Sequence, residues 1–181
     1  MYMRKYLPVI VFLLGLGWMT YSRVPAGFGE SQVIRSPQVG FLAPAYTGVL
    51  VDGGELTAAD IAGTPVVLNI WASWCPPCRA EMPTLQKMSL RYENAGVRFI
   101  GVNSTVQDST ENARAFLAEN HITFSQVMDV DGSITHAYGI DALPATYFIA
   151  PNGKITAIVL GGPISEASLV ANIAAMLQEA P

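Results

Sequence analysis

Between residues 65 and 178 the chain alternates short apolar runs with longer amphipathic ones. "PVVLNIWA" and "VRFIGVN" are too short for helices and apolar without alternation, so both read as strands buried on two faces. "RAEMPTLQKMSLRYENAG", "TENARAFLAEN" and "SEASLVANIAAMLQEA" place their apolar residues at helical spacing. The first of these stops at Gly96, the second is opened by Asp108 or Ser109, and the third by Ser165, residue types whose side chains accept from the free N–H groups of a first turn. A further short helix is expected from Asp131-Gly132-Ser133 through Tyr138. "YTGVLVDGGELTA" folds back at Asp52-Gly53-Gly54, and "ATYFIA" with "KITAIVL" folds back at Pro151-Asn152-Gly153, which predicts two hairpins. Strands alternating with helices, then a hairpin and a last helix, predict an α/β sandwich.

The N-terminus has a different pattern. Arg4 and Lys5 precede "YLPVIVFLLGLGWMTYS", uncharged until Arg23 and long enough to cross roughly 25 Å as a helix. Residues 1–22 are therefore expected to form a signal-anchor or transmembrane segment, with Trp18 and Tyr21 at an interface. The positive charges before it predict that everything after it lies outside the cytoplasm, on the periplasmic side. Val24-Pro25-Ala26 is a poor cleavage site, so an uncleaved anchor is favoured, with a cleaved secretory signal as the alternative. Residues 23–38, rich in Gly, Pro and Ser, read as a tether, and residues 39–181 as one domain. A net charge of −4 offers no basic footprint, which argues against nucleic-acid binding.

Only two cysteines occur, Cys75 and Cys78, with Pro76 and Pro77 between them. Zinc would need four ligands, and His121 and His136 lack ligand spacing, so no metal or other cofactor is expected. A permanent disulfide across so short a loop would restrain little of the unfolded chain. Redox chemistry remains. Cys75 follows a strand and opens a helix, where free N–H groups and the macrodipole favour a thiolate, so it is the expected nucleophile. Cys78, one turn further in, is suited to resolve the mixed disulfide, and the pair would cycle between dithiol and disulfide. Pro76 and Pro77 lie in the first turn, where a missing N–H breaks no helical bond.

"WASWCPPC" resembles the active site of the thioredoxin superfamily, with Trp71 and Trp74 in the places of its two tryptophans, Pro83 in that of its helix proline, and "YGIDALPATYFI" in that of its cis-proline segment. Thioredoxins carry a buried aspartate where this chain has Asn69. A carboxamide cannot exchange a proton, so Asn69 is expected to matter less than Glu81 for the titration of the site. Glu81 instead fits the CxxCxxE pattern of the membrane-anchored TlpA-like proteins of ResA and CcmG type. The segment Ser104 to Val130 resembles their helix-and-strand insertion, and the N-terminal hairpin fits the same group. The resemblance implies a thioredoxin-like sandwich with a central mixed β-sheet flanked by helices. It implies a catalytic Glu81 close to the thiols, the alternative being an exposed helix residue. It also implies a cis Pro144 against the sulfurs and a substrate surface of Trp74, Pro76, Leu143 and Pro144, although Leu143 and Ala145 also suit a plain core.

The function so implied is thiol-disulfide oxidoreduction on protein cysteines, in the reducing direction, for example in cytochrome c maturation. A membrane electron donor of DsbD or CcdA type would be its partner. Two alternatives differ in sequence: a thiol peroxidase would carry a T-x-x-C context, and a copper-delivery protein of SCO type a CxxxC spacing with a distant histidine.

Overall fold

The computed structural model describes residues 34–179. The predicted anchor, and the predicted tether up to residue 33, lie outside the described residues; among those described, no helix is long and apolar enough to cross a membrane. Residues 34–38 of the predicted tether run alongside the domain: Arg35 bridges to Leu42, and its guanidinium donates to the Ala43 carbonyl at 3.0 Å.

Seven strands form one mixed sheet: β1 (Thr47–Leu50), β2 (Glu55–Thr57), β3 (Val66–Trp71), β4 (Arg98–Asn103), β5 (Ser125–Met128), β6 (Ala145–Ile149) and β7 (Ile155–Leu160). Their order is β2-β1-β5-β4-β3-β6-β7. The three inner strands β5, β4 and β3 are parallel, and antiparallel pairs extend the sheet on both sides. Both expected hairpins form, β1–β2 and β6–β7. Four α-helices flank the sheet: α1 (Pro76–Tyr92), α2 (Thr110–Glu119), α3 (Ser133–Ala137) and α4 (Glu166–Gln178). The expected helix-and-strand insertion is α2 with β5, and β5 is integral to the sheet, between β1 and β4.

The caps follow residue chemistry. Ser109 Oγ accepts from the Asn112 N–H and Ser165 Oγ from the Ser168 N–H. Ser109, not Asp108, is thus the cap of α2. After α1 and one 3-10 turn the chain stops at Gly96, whose φ of 74° lies in the left-handed region that glycine enters without strain.

Every residue of β3 is buried, as expected of a strand in the middle of a two-sided layer. Val67 and Trp71 face a core with Cys78, Met82, Leu85 and Met88 of α1, Phe116 of α2 and Ile173 of α4. Val66, Leu68 and Ile70 face a second core with Ile134 of α3, Tyr46 and Ile61. Asn69 shares the period-2 face of Val67 and Trp71, so a polar group is directed into the layer beneath α1. Trp71 also brings a polar atom there, and its indole N–H donates to Gln126 Oε1 at 3.0 Å.

Gln126 lies over Gly101, where an added methyl would overlap its carboxamide. Gly101→Ala is therefore expected to displace Gln126 and free the Trp71 N–H, lowering stability by about 1–3 kcal/mol. Urea denaturation checks this, as a lower midpoint at unchanged m.

Candidate active site

The C-terminal end of β3 delivers the chain through Ala72, Ser73 and Trp74 to Cys75, the N-cap of α1. Cys75 and Cys78 are joined by a disulfide with their Cα atoms 5.3 Å apart. The Cys78 N–H donates to Cys75 Sγ at 3.3 Å, so the first turn of the helix points a backbone donor at that sulfur. Pro76 and Pro77 occupy the first two helical positions, and the helix runs on through Pro83.

Neither sulfur-bearing residue is much exposed, Cys75 at 2% and Cys78 at 0%. Position separates them more than exposure does. Cys75, and not Cys78, lines a groove of about 260 Å³ with Trp74, Pro76, Gln107, Ile140 and Leu143 among its walls. Trp74 is 55% exposed at its rim, whereas Trp71 is fully buried against Phe116. The Leu143–Pro144 peptide is cis. Leu143 is half-buried and its backbone N–H and C=O pair with nothing among the described residues, while Pro144 and Ala145 are buried. His136 and His121 are both exposed.

Glu81 is not a surface residue: it is 1% exposed. The buried stripe of α1 reads Cys78, Glu81, Met82, Leu85 and Met88, so the carboxyl lies on the face that carries the inner sulfur. Its Oε1 accepts from Asn69 Nδ2 at 2.8 Å and its Oε2 from the Ile164 N–H at 2.8 Å. Asn69 Nδ2 also donates to Thr146 Oγ1 at 3.0 Å, across the antiparallel register that pairs these two residues. Gly162 closes the site, since a methyl there would come within 2.7 Å of both Glu81 Oε2 and Pro144 Cγ. Burial pushes the Glu81 carboxyl above its ordinary range, and the bonds from Ile164 and Asn69 only partly oppose that.

This adds to the expectation for Asn69. It bonds the carboxyl directly and therefore acts on its titration without carrying the proton. A polar residue on the inward face of a fully buried strand was the available signal, because such a group must find a partner. Thr146 and Asp108, which also hold the site, carried no comparable signal in the sequence.

A dithiol/disulfide pair at a helix N-terminus, on a thioredoxin-like sheet, defines a thiol-disulfide oxidoreductase. The chain belongs to the AhpC/TSA family, whose model matches residues 39–158. It is 40% identical to the thiol-disulfide oxidoreductase ResA of Oceanobacillus iheyensis over 61% of this chain and 57% of that protein. It is 32% identical to ResA of Geobacillus thermodenitrificans over 84% of this chain and 83% of that protein. Among solved structures it superposes on a Chlorobium tepidum protein described as a thiol:disulfide interchange protein DsbE. The TM-score is 0.71 at 30% identity, over 77% of this chain and 98% of the other.

The raised pKa of Glu81 has a signed consequence. Between the ordinary carboxyl value of 4.5 and the higher folded value, the native state binds more protons than the unfolded one, so stability is full below that window and falls as pH rises through it. Glu81→Gln can still accept from the Ile164 N–H, and the Asn69 amide can turn to accept from the new carboxamide. The variant is therefore expected to fold, with a melting temperature that gains on the native protein as pH rises from about 4.5. Parallel melting curves over pH 4 to 9 check this, and superimposable native and variant profiles would remove Glu81 from the titration.

Proposed function

We propose that the protein reduces disulfides of other proteins outside the cytoplasm. Cys75 is the attacking thiolate, Cys78 the resolving thiol, and Glu81 the group that takes and returns the proton. The observation that carries this reading is the placement of Cys75 in the groove between Trp74 and Leu143, with Cys78 behind it and a buried carboxyl one turn further along α1. The Cys75 thiolate attacks one sulfur of the client disulfide and expels the other as a thiolate. Cys78, giving its proton to Glu81, attacks Cys75 Sγ and releases the second client sulfur. The client gains two electrons as two thiolates, one protonated by Glu81 and the other from solvent, which took the proton that Cys75 lost on ionising, and Cys75 and Cys78 end as the disulfide present in the structure.

Client binding follows from Leu143. Its unpaired backbone N–H and C=O suit an extended polypeptide added as a strand, with Pro144 beneath and Trp74 and Pro76 beside it. The regenerating reductant is, on this reading, a membrane dithiol donor of DsbD or CcdA type, reached because residues 1–22 anchor the chain. Apocytochrome c, whose thiols must be reduced for haem attachment, is a fitting client. The copper-delivery reading is not favoured, because Cys75 and Cys78 have two residues between them where that type has a CxxxC spacing.

The decisive experiment uses Cys78→Ser. That variant can attack but not resolve, so adducts with client proteins should accumulate on non-reducing gels and vanish with reductant. Their absence would overturn the relay. In the reduced native protein Cys75 should be alkylated faster than Cys78, and equal rates would reverse the assignment of roles. Thiol trapping in cells should find the pair mostly reduced; a mostly oxidised pair would make the protein an oxidant instead.

A further inference from the structure

Asp108 takes no part in the dithiol chemistry, yet its carboxylate is aimed at the active-site loop. Its Oδ2 accepts from the Ser73 N–H at 2.6 Å and from Asn103 Nδ2 at 2.9 Å. Its Oδ1 accepts from the Ser73 hydroxyl at 2.7 Å and from the Ser109 N–H at 2.8 Å. The remaining polar group of Ser73, its carbonyl, accepts from Arg79 Nη1 at 3.1 Å. Arg79 is itself placed by α1 and lies 4.5 Å over the ring of Phe116 on α2. Every hydrogen-bonding group of the residue two positions before Cys75 is thus held, and four of these five bonds end on the two oxygens of one carboxylate.

The neighbours on both sides extend the arrangement to the groove. Trp74 follows Ser73, and its indole N–H donates to the carbonyl of Gln107 at 2.8 Å. Gln107 immediately precedes Asp108, and both Trp74 and Gln107 line the groove beside Cys75. An exposed indole whose only polar atom is already bonded presents a flat apolar face in one orientation. Ordering such a side chain at the moment of binding would oppose association, and ordering it beforehand removes that penalty. The other groove residues Ile140, Ala142 and Leu143 are apolar, with Asp141 the one acid among them.

We propose that Asp108 is a positioning residue for client recognition, holding Ser73 and, through the adjoining Gln107, the Trp74 indole, so that the groove is pre-formed for an extended segment with an apolar residue beside its cysteine. Burial works against the charge on Asp108, but the bonds from Asn103, Ser73 and Ser109 outweigh it and keep the carboxyl below its ordinary range, so it stays ionised at neutral pH. The proposal rests on the oxidoreductase reading, and the test separates the two.

Reduced native protein, Asp108→Ala, Asp108→Asn and Ser73→Ala are each assayed on two oxidants. One is a small aromatic disulfide, which needs only the Cys75 thiolate. The other is an extended peptide disulfide with leucine beside each cysteine. Asp108→Ala should lose about tenfold more kcat/KM with the peptide than with the small disulfide, a difference of about 1.4 kcal/mol carried by KM. Asp108→Asn keeps an acceptor for the Ser73 N–H but turns an amine towards that of Ser109, so it should fall between. Ser73→Ala, which removes one hydroxyl bond, should move the same way by less, and it carries the test if Asp108→Ala does not fold. Equal losses on both oxidants, or a loss in kcat alone, would overturn the role in recognition. A native chain inactive on both would overturn the oxidoreductase reading itself.

Discussion

A strand buried on both faces favours side chains that are apolar or hydrogen-bonded to a neighbour, and the site depends on how β3 meets that constraint. Its inward face carries Val67, Asn69 and Trp71, beneath α1. Two of these bring polar atoms into a layer without water, and each must recruit a partner from another element. Trp71 recruits Gln126 from β5, and Asn69 recruits Thr146 from the neighbouring β6 and Glu81 from α1. The second pairing permits a carboxyl on the buried stripe of a helix, where desolvation would otherwise make an acid very unfavourable. Position along the strand then fixes the rest: two residues beyond Trp71 the chain enters the active-site loop, and the helix it opens returns Glu81 beneath the sulfurs.

The environment acts on the two kinds of acid in opposite directions. At the start of α1 the Cys78 N–H and the helix dipole favour negative charge on Cys75 Sγ. Three residues after Cys78 on the same helix's buried stripe, low polarity disfavours negative charge on Glu81 and raises its proton affinity. A carboxyl whose proton affinity is raised in this way suits the proton-accepting role proposed for it. In thioredoxins, which the sequence resembles, an aspartate on the central strand occupies the place of Asn69. Here the charge sits on the helix and the strand supplies its hydrogen-bond donor. On the proposed reading the proton-carrying role falls to Glu81 and the positioning role to Asn69, which bonds its carboxyl.

Local chemistry was legible in the sequence and tertiary pairing was not. Ser109 and Ser165 as caps, Gly96 as a stop, the turns at Gly53 and Gly153, and the buried runs of β3 and β4 are each decided within a few residues, and the structure has them as expected. The cysteine pair was legible for the same reason. Glu81 was placed by helical spacing, but whether its side met solvent or core depended on α4 and the loop at Gly162, far along the chain. The pairing of Asn69 was not legible because its partner Glu81 lies twelve positions away. Asp108 was read as one of two candidate caps, and local reasoning could not show that Ser109 takes that place and leaves the carboxylate to turn towards Ser73, 35 residues earlier.

The division of labour between these acids explains why the active-site loop needs support from outside its own helix. On the proposed relay, a thiolate that attacks in line and is attacked in turn by Cys78 tolerates little drift of its backbone. The prolines at 76 and 77 stiffen only the helical side of Cys75. On the strand side lie Ala72, Ser73 and Trp74, outside any regular element, and a backbone without ladder bonds must find partners elsewhere. Asp108 and Arg79 supply them for Ser73, and the Trp71 carbonyl is taken by the Ser104 N–H at 2.9 Å. Both Ser104 and Asp108 belong to the connection between β4 and α2. The segment that resembles an insertion therefore serves the site as its second support, and a rigid loop on that side is what leaves Trp74 exposed yet fixed.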